Sequence, residues 1–279
     1  ESFSQLTQLV ALNLSHNKLD SLPGSFSQLT NLQLLNLTNN QLEDLPESFG
    51  QLKKLVKLYL SKNEFSSYAL PFSLFQLSTL QVLDLGNNNL ISLPNRLENL
   101  TNLKHLYLQQ NELRELPMSF GNLIRLEVLK LQNNKLQILP ESFGQLKRLK
   151  ELELQLNQLT SLPESFGQLT QLVTLDLSYN KLNSFPNSFY TLARLQSLDL
   201  GNNQFTSLPE RFGELIQLTE LKLMRNELRS LPESFERLVK LKLLDLSYNQ
   251  LIYVPDTVKN LKEQGCTVLG VENLEKSKS

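Results

Sequence analysis

Few side chains in this 279-residue chain can do acid–base, nucleophilic or metal chemistry: two histidines, His16 and His105, one cysteine, Cys266, and 28 carboxylates. A hydrolytic triad needs a nucleophile, a histidine and an acid within hydrogen-bond reach of one another. Ser15 adjoins His16, but the side chains of consecutive residues leave an extended backbone in different directions, so no triad is expected there. No Cys/His spacing suits zinc, and no glycine-rich run suits a phosphate. The most suggestive acids are Glu153, Asp176 and Asp199, which recur at intervals of 23 residues. If that interval places them on adjacent parallel strands, ~4.8 Å apart, they repel and raise one another's pKa. Paired carboxylates serve glycosidases, yet a shallow surface does not exclude water, so docking of a partner's Lys or Arg is the expected use. No catalytic residue, metal ligand or cofactor is assigned.

The interval that sets those acids in a row governs the whole chain. Asparagine stands at 17, 40, 63, 88, 111, 134, 157, 180, 203, 226 and 249, each preceded by L-x-x-L-x-L-x-x and followed by x-Leu or x-Phe. All eleven prolines keep the same register, six residues after an Asn except at Pro71, which is displaced by two extra residues in the third repeat. In each unit the inner leucines alternate with polar residues at period two, the pattern of a short strand with one buried face. Leu106 and Leu108 are expected inside, and His105, Tyr107 and Gln109 outside. The Asn follows where the chain leaves the strand, and its amide can satisfy backbone groups of its own turn and the next, which predicts a buried Asn ladder. Proline holds the return segment extended. S-F-G-Q-L then makes a short helical turn, so that Phe26, Phe49, Phe120, Phe143, Phe166, Phe189, Phe212 and Phe235 form a second spine. The extra residues between Phe65 and Phe75 are expected to gather Tyr68, Phe72 and Phe75 into a local bulge, with Leu74 in the usual Phe place.

With this motif, for instance Leu139 to Leu159, the chain resembles leucine-rich-repeat proteins, and it is similar to the 23-residue repeats of intracellular Ras-suppressor-like, plant Ras-group-related and bacterial proteins, effectors among them. The resemblance implies an α/β fold, a right-handed solenoid with a concave parallel β-sheet and short helical or extended convex segments. It implies eleven repeats over residues 1–255, the first beginning in mid-unit and expected to lack its front half, a degenerate C-terminal capping repeat over 256–274, and a polar tail over 275–279.

Composition narrows the function. With 27 basic and 28 acidic residues the net charge is −1, so the molecule as a whole is not drawn to nucleic acid or to an anionic membrane. No apolar run approaches the roughly 18 residues of a membrane span. A single Cys cannot form an intramolecular disulfide, which favours a reducing, cytoplasmic setting, or a host cytosol for a bacterial effector. The sequons at Asn13, Asn36 and Asn99 keep an extracellular receptor fragment as an alternative. The expected function is that of a non-catalytic scaffold for protein–protein interaction, monomeric, with its partner on the concave face. The competing expectation is the substrate-recognition arm of a larger enzyme or secreted effector whose catalytic domain lies outside this chain.

Positions three, five, seven, eight and ten of each repeat are expected to face solvent. In columns three, five and eight, repeats one to six carry Lys57, Lys62 and Lys130 against Asp84, whereas repeats seven to eleven carry six carboxylates against Lys222 and Arg225. The face is therefore polarised. Glu151, Glu153, Leu156, Asp176, Tyr179, Met224, Arg225 and Tyr248 form the expected partner-binding patch, an acidic rim around apolar anchors that suits a partner with a basic surface. Lys57, Tyr59, His105, Tyr107 and Lys130 form a secondary patch, better suited to an acidic or phosphorylated peptide than to nucleic acid.

Overall fold

In the computed structural model, residues 5–67 and 69–271 are described. The chain divides into two compact units, Glu1–Leu136 and Gln137–Ser279. The start of the first repeat at residues 1–4, Tyr68 of the expected bulge, and residues 272–279 lie outside the described residues.

The first unit carries strands β1 (Ala11–Asn13), β2 (Leu34–Asn36), β3 (Lys57–Tyr59), β4 (Val82–Asp84), β5 (His105–Tyr107) and β6 (Val128–Lys130). Each pairs in parallel with the next, so His105 lies between Val82 and Val128, and Tyr107 between Asp84 and Lys130. The second unit carries β7 (Glu151–Glu153), β8 (Thr174–Asp176), β9 (Ser197–Asp199), β10 (Glu220–Lys222) and β11 (Leu243–Asp245), then helix α1 (Asp256–Glu263) and β12 (Thr267–Leu269), which adds to β11. Both units are right-handed solenoids, as parallel crossovers within one sheet require.

The strands are only three residues long, each with one leucine at its centre turned inward, such as Leu106 or Leu152, between two half-buried neighbours. The chain returns through Pro, with φ −69° and ψ 152° at Pro140, into a 3-10 turn such as Glu141–Gln145. The Phe spine is buried as expected, from Phe26 at 2% exposure to Phe143 and Phe166 at 0%. In the second unit the rings of Phe143, Phe166 and Phe189 follow one another at 6.1 Å. Strands are spaced ~4.8 Å apart, so the turn side is wider than the sheet side and the sheet face of this unit is concave.

Asn40, Asn63, Asn88, Asn111, Asn134, Asn157, Asn180, Asn203 and Asn226 are buried at 6–8% exposure. Asn134 shows the bonding that ties two repeats together. Its Nδ2 donates to the carbonyls of Leu108 at 2.9 Å and Leu131 at 3.0 Å, and its Oδ1 accepts the N–H of Leu113 at 3.0 Å. Asn17 is exposed and, among the described residues, bonds the carbonyls of Leu14 and Ser15.

Two expectations need correction. Phe72 and Phe75 do not cluster: Phe75 fills the position that is Gly50 one repeat earlier and is 1% exposed, whereas Phe72 stands out at 41% under the Arg96 guanidinium, 4.7 Å from its ring centroid. Position in the turn decides this, because the residue directly after Pro faces solvent in every repeat that has Glu there. The seventh position is open only in part, with Ser61, Gly86, Ser178 and Gly201 buried and the other seven half-buried. Gln109, Gln132 and Gln155 have their Oε1 atoms buried.

Candidate functional site

The eighth position, which closes the turn after each strand, has a conformation that the repeat pattern did not disclose. From His16 to Tyr248 every eighth residue has φ between 52° and 58°. Left-handed backbone costs an L-residue other than glycine about 1 kcal/mol or more, least for Asn and Asp. Asn39, Asn87, Asn133 and Asn202 fit that preference; their recurrence was the available signal. Leu156, Tyr179, Arg225 and Tyr248 do not fit it, and they are large and exposed, Leu156 at 48%, Tyr179 at 50% and Tyr248 at 73%. The Arg225 guanidinium lies 5.1 Å from the centroid of the Tyr248 ring, a cation–π contact that holds both side chains in place.

The fifth position explains part of the acidic column. Asp176 Oδ1 accepts the N–H of Ser178 at 2.9 Å, Asp199 that of Gly201 at 2.9 Å, and Asp245 that of Ser247 at 2.9 Å, closing the turn that leaves the strand. Asn13 and Asn36 make the same bond at 3.0 Å with an amide. That bond takes an oxygen, not a charge, and the turns after Lys130 and Lys222 reach the same conformation without it. Asp176 is a structural residue as well as a member of the expected patch.

Registers Glu153↔Asp176 and Asp176↔Asp199 put the three expected acids side by side. The Asp199 carboxyl is held above the ordinary carboxylate range chiefly by burial, with Asp176 adding to the rise, while the Gly201 bond and Lys222 oppose it. Mutual repulsion is therefore the lesser cause. Lys222 Nζ lies 2.8 Å from Glu220 Oε1 and 3.9 Å from Asp199 Oδ2, so the base within the acidic field is already engaged. Because the Asp199 pKa is raised on folding, its ionisation favours the unfolded chain. That penalty is absent below the ordinary carboxylate range and grows as pH rises through the folded-state value. Asp199→Asn keeps the turn bond, so it is expected to equal or exceed the parent in stability at pH 7 and to lose any such advantage near pH 3. Denaturant titrations at the two pH values measure the difference; a variant less stable only at pH 7 would show that Lys222 outweighs burial.

Met224 is not a free anchor. It is half-buried over Gly201, where an added methyl group would meet its Cγ at 3.0 Å. Glu151 and Glu153 lie half-buried on β7, and Leu156 closes the turn that follows.

In the first unit, Lys57 and Tyr59 share β3, His105 and Tyr107 share β5 with rings 6.4 Å apart and stacked, and Lys130 ends β6. Between Tyr59 and Tyr107 the sheet places Asp84, which the charge count had set against the lysines, and whose carboxyl is raised mainly by burial. An acid in the middle of the row interrupts a basic stripe and weakens any stacking platform for nucleic acid. His16 Nδ1 is 2.9 Å from the Asn39 amide nitrogen, so its neighbour in space is the next repeat's eighth residue. Among the described residues, no group of three or more His, Cys, Asp or Glu is placed to hold a metal ion, and no helix is long and apolar enough to cross a membrane.

The sequence matches the family model described as Leucine rich repeat over residues 1–42, 23–65, 117–159, 147–205 and 194–251, and that described as Leucine Rich repeats (2 copies) over 78–119. No curated protein sequence matches the chain. Among solved structures, a leucine-rich-repeat protein of Leptospira interrogans is 32% identical over 100% of this chain and 83% of its own, with a TM-score of 0.66. Drosophila Toll in its glycosylated complex with Spatzle is 29% identical over 95% of this chain and 38% of its own, with a TM-score of 0.85. The plant peptide hormone receptor RGFR1, in complex with RGF2, is 28% identical over 96% and 48%, with a TM-score of 0.76. Proteins of this fold commonly mediate protein–protein interaction and are typically non-catalytic. The family models span most of the chain, and the chain belongs to the leucine-rich-repeat family.

Proposed function

We propose that this protein is a non-catalytic interaction scaffold whose second unit binds a protein partner on its concave sheet face. Leu156, Tyr179, Arg225 and Tyr248 are the anchors, Glu151, Glu153, Asp176 and Asp199 set the local field, and Met224 packs beneath. The observation that carries this reading is the row of large exposed side chains on left-handed backbone. Asn is used at the same position in four other repeats and Gly would fit anywhere, so the chain keeps Leu, Tyr and Arg at a cost in folding stability. The acids add a second support: an amide closes the same turn elsewhere, and at Asp199 burial opposes the charge, so the charge serves something other than the fold. The partner has a basic surface that carries an apolar side chain. Toll and RGFR1 are each seen in complex with another molecule, Spatzle and RGF2, which accords with a protein partner here. We further propose a monomer in the cytoplasm, where a lone buried thiol is in keeping, and a capping role for residues 256–274.

The field is tested by charge reversal. Glu151→Lys with Glu153→Lys is expected to slow association with the partner about tenfold at low salt and to flatten its dependence on ionic strength, with little change in dissociation. Stopped-flow or surface-plasmon measurement of the captured partner reads both rates. An unchanged association rate at every salt concentration would remove this patch from the interface.

A further inference from the structure

On the turn side of the second unit, four linked departures from the repeat meet at one place. In neighbouring turns a glycine faces the serine of the next repeat so closely that a Cβ on Gly144 would meet the Ser165 carbonyl oxygen at 2.3 Å, one on Gly167 that of Ser188 at 2.1 Å, and one on Gly213 that of Ser234 at 2.4 Å. Between these pairs the glycine becomes Tyr190 and the facing serine becomes Arg211. The Arg211 guanidinium lies 5.1 Å from the Tyr190 ring centroid and is fixed there by both Glu214 oxygens, at 2.9 and 3.0 Å, and by the Asn187 carbonyl at 2.7 Å. Glu214 itself replaces the usual Gln of the turn, and Phe185 replaces the Leu that precedes Pro in most other repeats. The Tyr190 ring is wedged in the spine, edge-on to Phe189 at 5.8 Å and to Phe212 at 6.4 Å.

The wedge leaves a cavity of about 300 Å³ whose walls include Phe185, Tyr190, Phe205 and Leu208, with Asn183 and Ser207 at its rim. Phe185 packs against Phe205 at 4.8 Å and against Phe189 at 4.1 Å, so the floor is aromatic. The cavity opens to solvent past the exposed Asn183, Ser184 and Ser207, so a ligand can enter it without any rearrangement of the spine. The close Gly/Ser pair of the neighbouring turns is replaced here by Tyr190 and Arg211. The cavity is also uncharged: Arg211 and Glu214 satisfy each other, and burial pushes the Tyr190 hydroxyl up to about 12, so it stays neutral at physiological pH. Ring faces and edges below and amide and hydroxyl groups above suit a flat apolar group bearing one polar hydrogen.

We propose that this cavity is a binding site for a neutral aromatic ring of the indole or phenol class, separate from the concave face. The ring can come from a free small molecule or from a partner's side chain, and the two sources are distinguished by probing with indole and with N-acetyltryptophanamide. Titrated into the isotopically labelled 279-residue chain, indole should give saturable amide shifts confined to Phe205, Ser207, Leu208 and their neighbours. Saturation by both probes assigns a side-chain ligand; saturation by indole alone assigns a small molecule. Tyr190→Gly combined with Arg211→Ser restores the pair used elsewhere and should weaken binding at least about tenfold, while Tyr190→Phe retains it. Should the double variant not fold, Leu208→Phe fills the cavity from the other wall and should give the same loss. Shifts that fail to saturate, that scatter over the chain, or that persist in the double variant or in Leu208→Phe overturn the proposal.

Discussion

Replacing Asn134 by alanine is expected to destabilise the chain by about 3 kcal/mol, with the denaturant slope unchanged. The estimate rests on three bonds broken at once. The Leu108 and Leu131 carbonyls and the Leu113 N–H are all left without their partner in a region where Asn134 is 7% exposed. Each such buried group costs roughly 1–3 kcal/mol, and partial access of water to the void keeps the sum nearer the lower end. Asn17 is the internal control. It is exposed, and its side chain bonds carbonyls of its own turn at Leu14 and Ser15, so in this chain Asn17→Ala should cost well under about 1 kcal/mol. Urea titration of both variants decides the matter. Equal and small losses would mean that the ladder is solvated in solution and that repeats are held together by leucine packing alone.

The second large effect concerns binding. Leu156→Ala with Tyr179→Ala should weaken partner binding by about 3 kcal/mol, more than a hundredfold, since clustered apolar anchors dominate interface energetics. Their registers make them neighbours, as β7 pairs with β8. Folding stability should hardly fall, because both side chains are about half exposed and sit on left-handed backbone outside the buried core. Leu156→Gly sharpens the test: it relieves a φ of 57° and is expected to raise stability by about 1 kcal/mol while still losing binding. Calorimetric binding and thermal unfolding on the same preparations separate the two readouts. If both anchor variants bind the partner with undiminished affinity, the site moves to Tyr59, His105 and Tyr107 in the first unit.

These experiments also mark how far the sequence reaches. A 23-residue spacing that recurs through Asn, Pro and the leucines admits one economical packing, in which identical positions stack on one another. The parallel strands, the Phe spine and the buried Asn ladder follow from that, and so does the neighbourhood of Glu153, Asp176 and Asp199. Local periodicity determined these features because each depends only on the residue one repeat away. What a residue does beyond that depends on backbone conformation and on the side chains of the next repeat. The left-handed eighth position left only a faint signal, four asparagines among eleven residues, and only φ revealed that Leu156 and Tyr179 are strained. Met224 looks exposed by its place in the pattern, yet the bare backbone of Gly201 lets it fold down. Phe72 and Phe75, three residues apart, part company because the residue directly after Pro faces solvent, whereas the one that takes the place of Gly50 is buried. The carboxylate of Asp199 was legible as one of a row, but the dominance of burial over repulsion was not, since desolvation depends on what covers a group in three dimensions. The wedge of Tyr190 against Arg211 lies in the same class: each is a single departure in the sequence, and only tertiary packing joins them into a cavity.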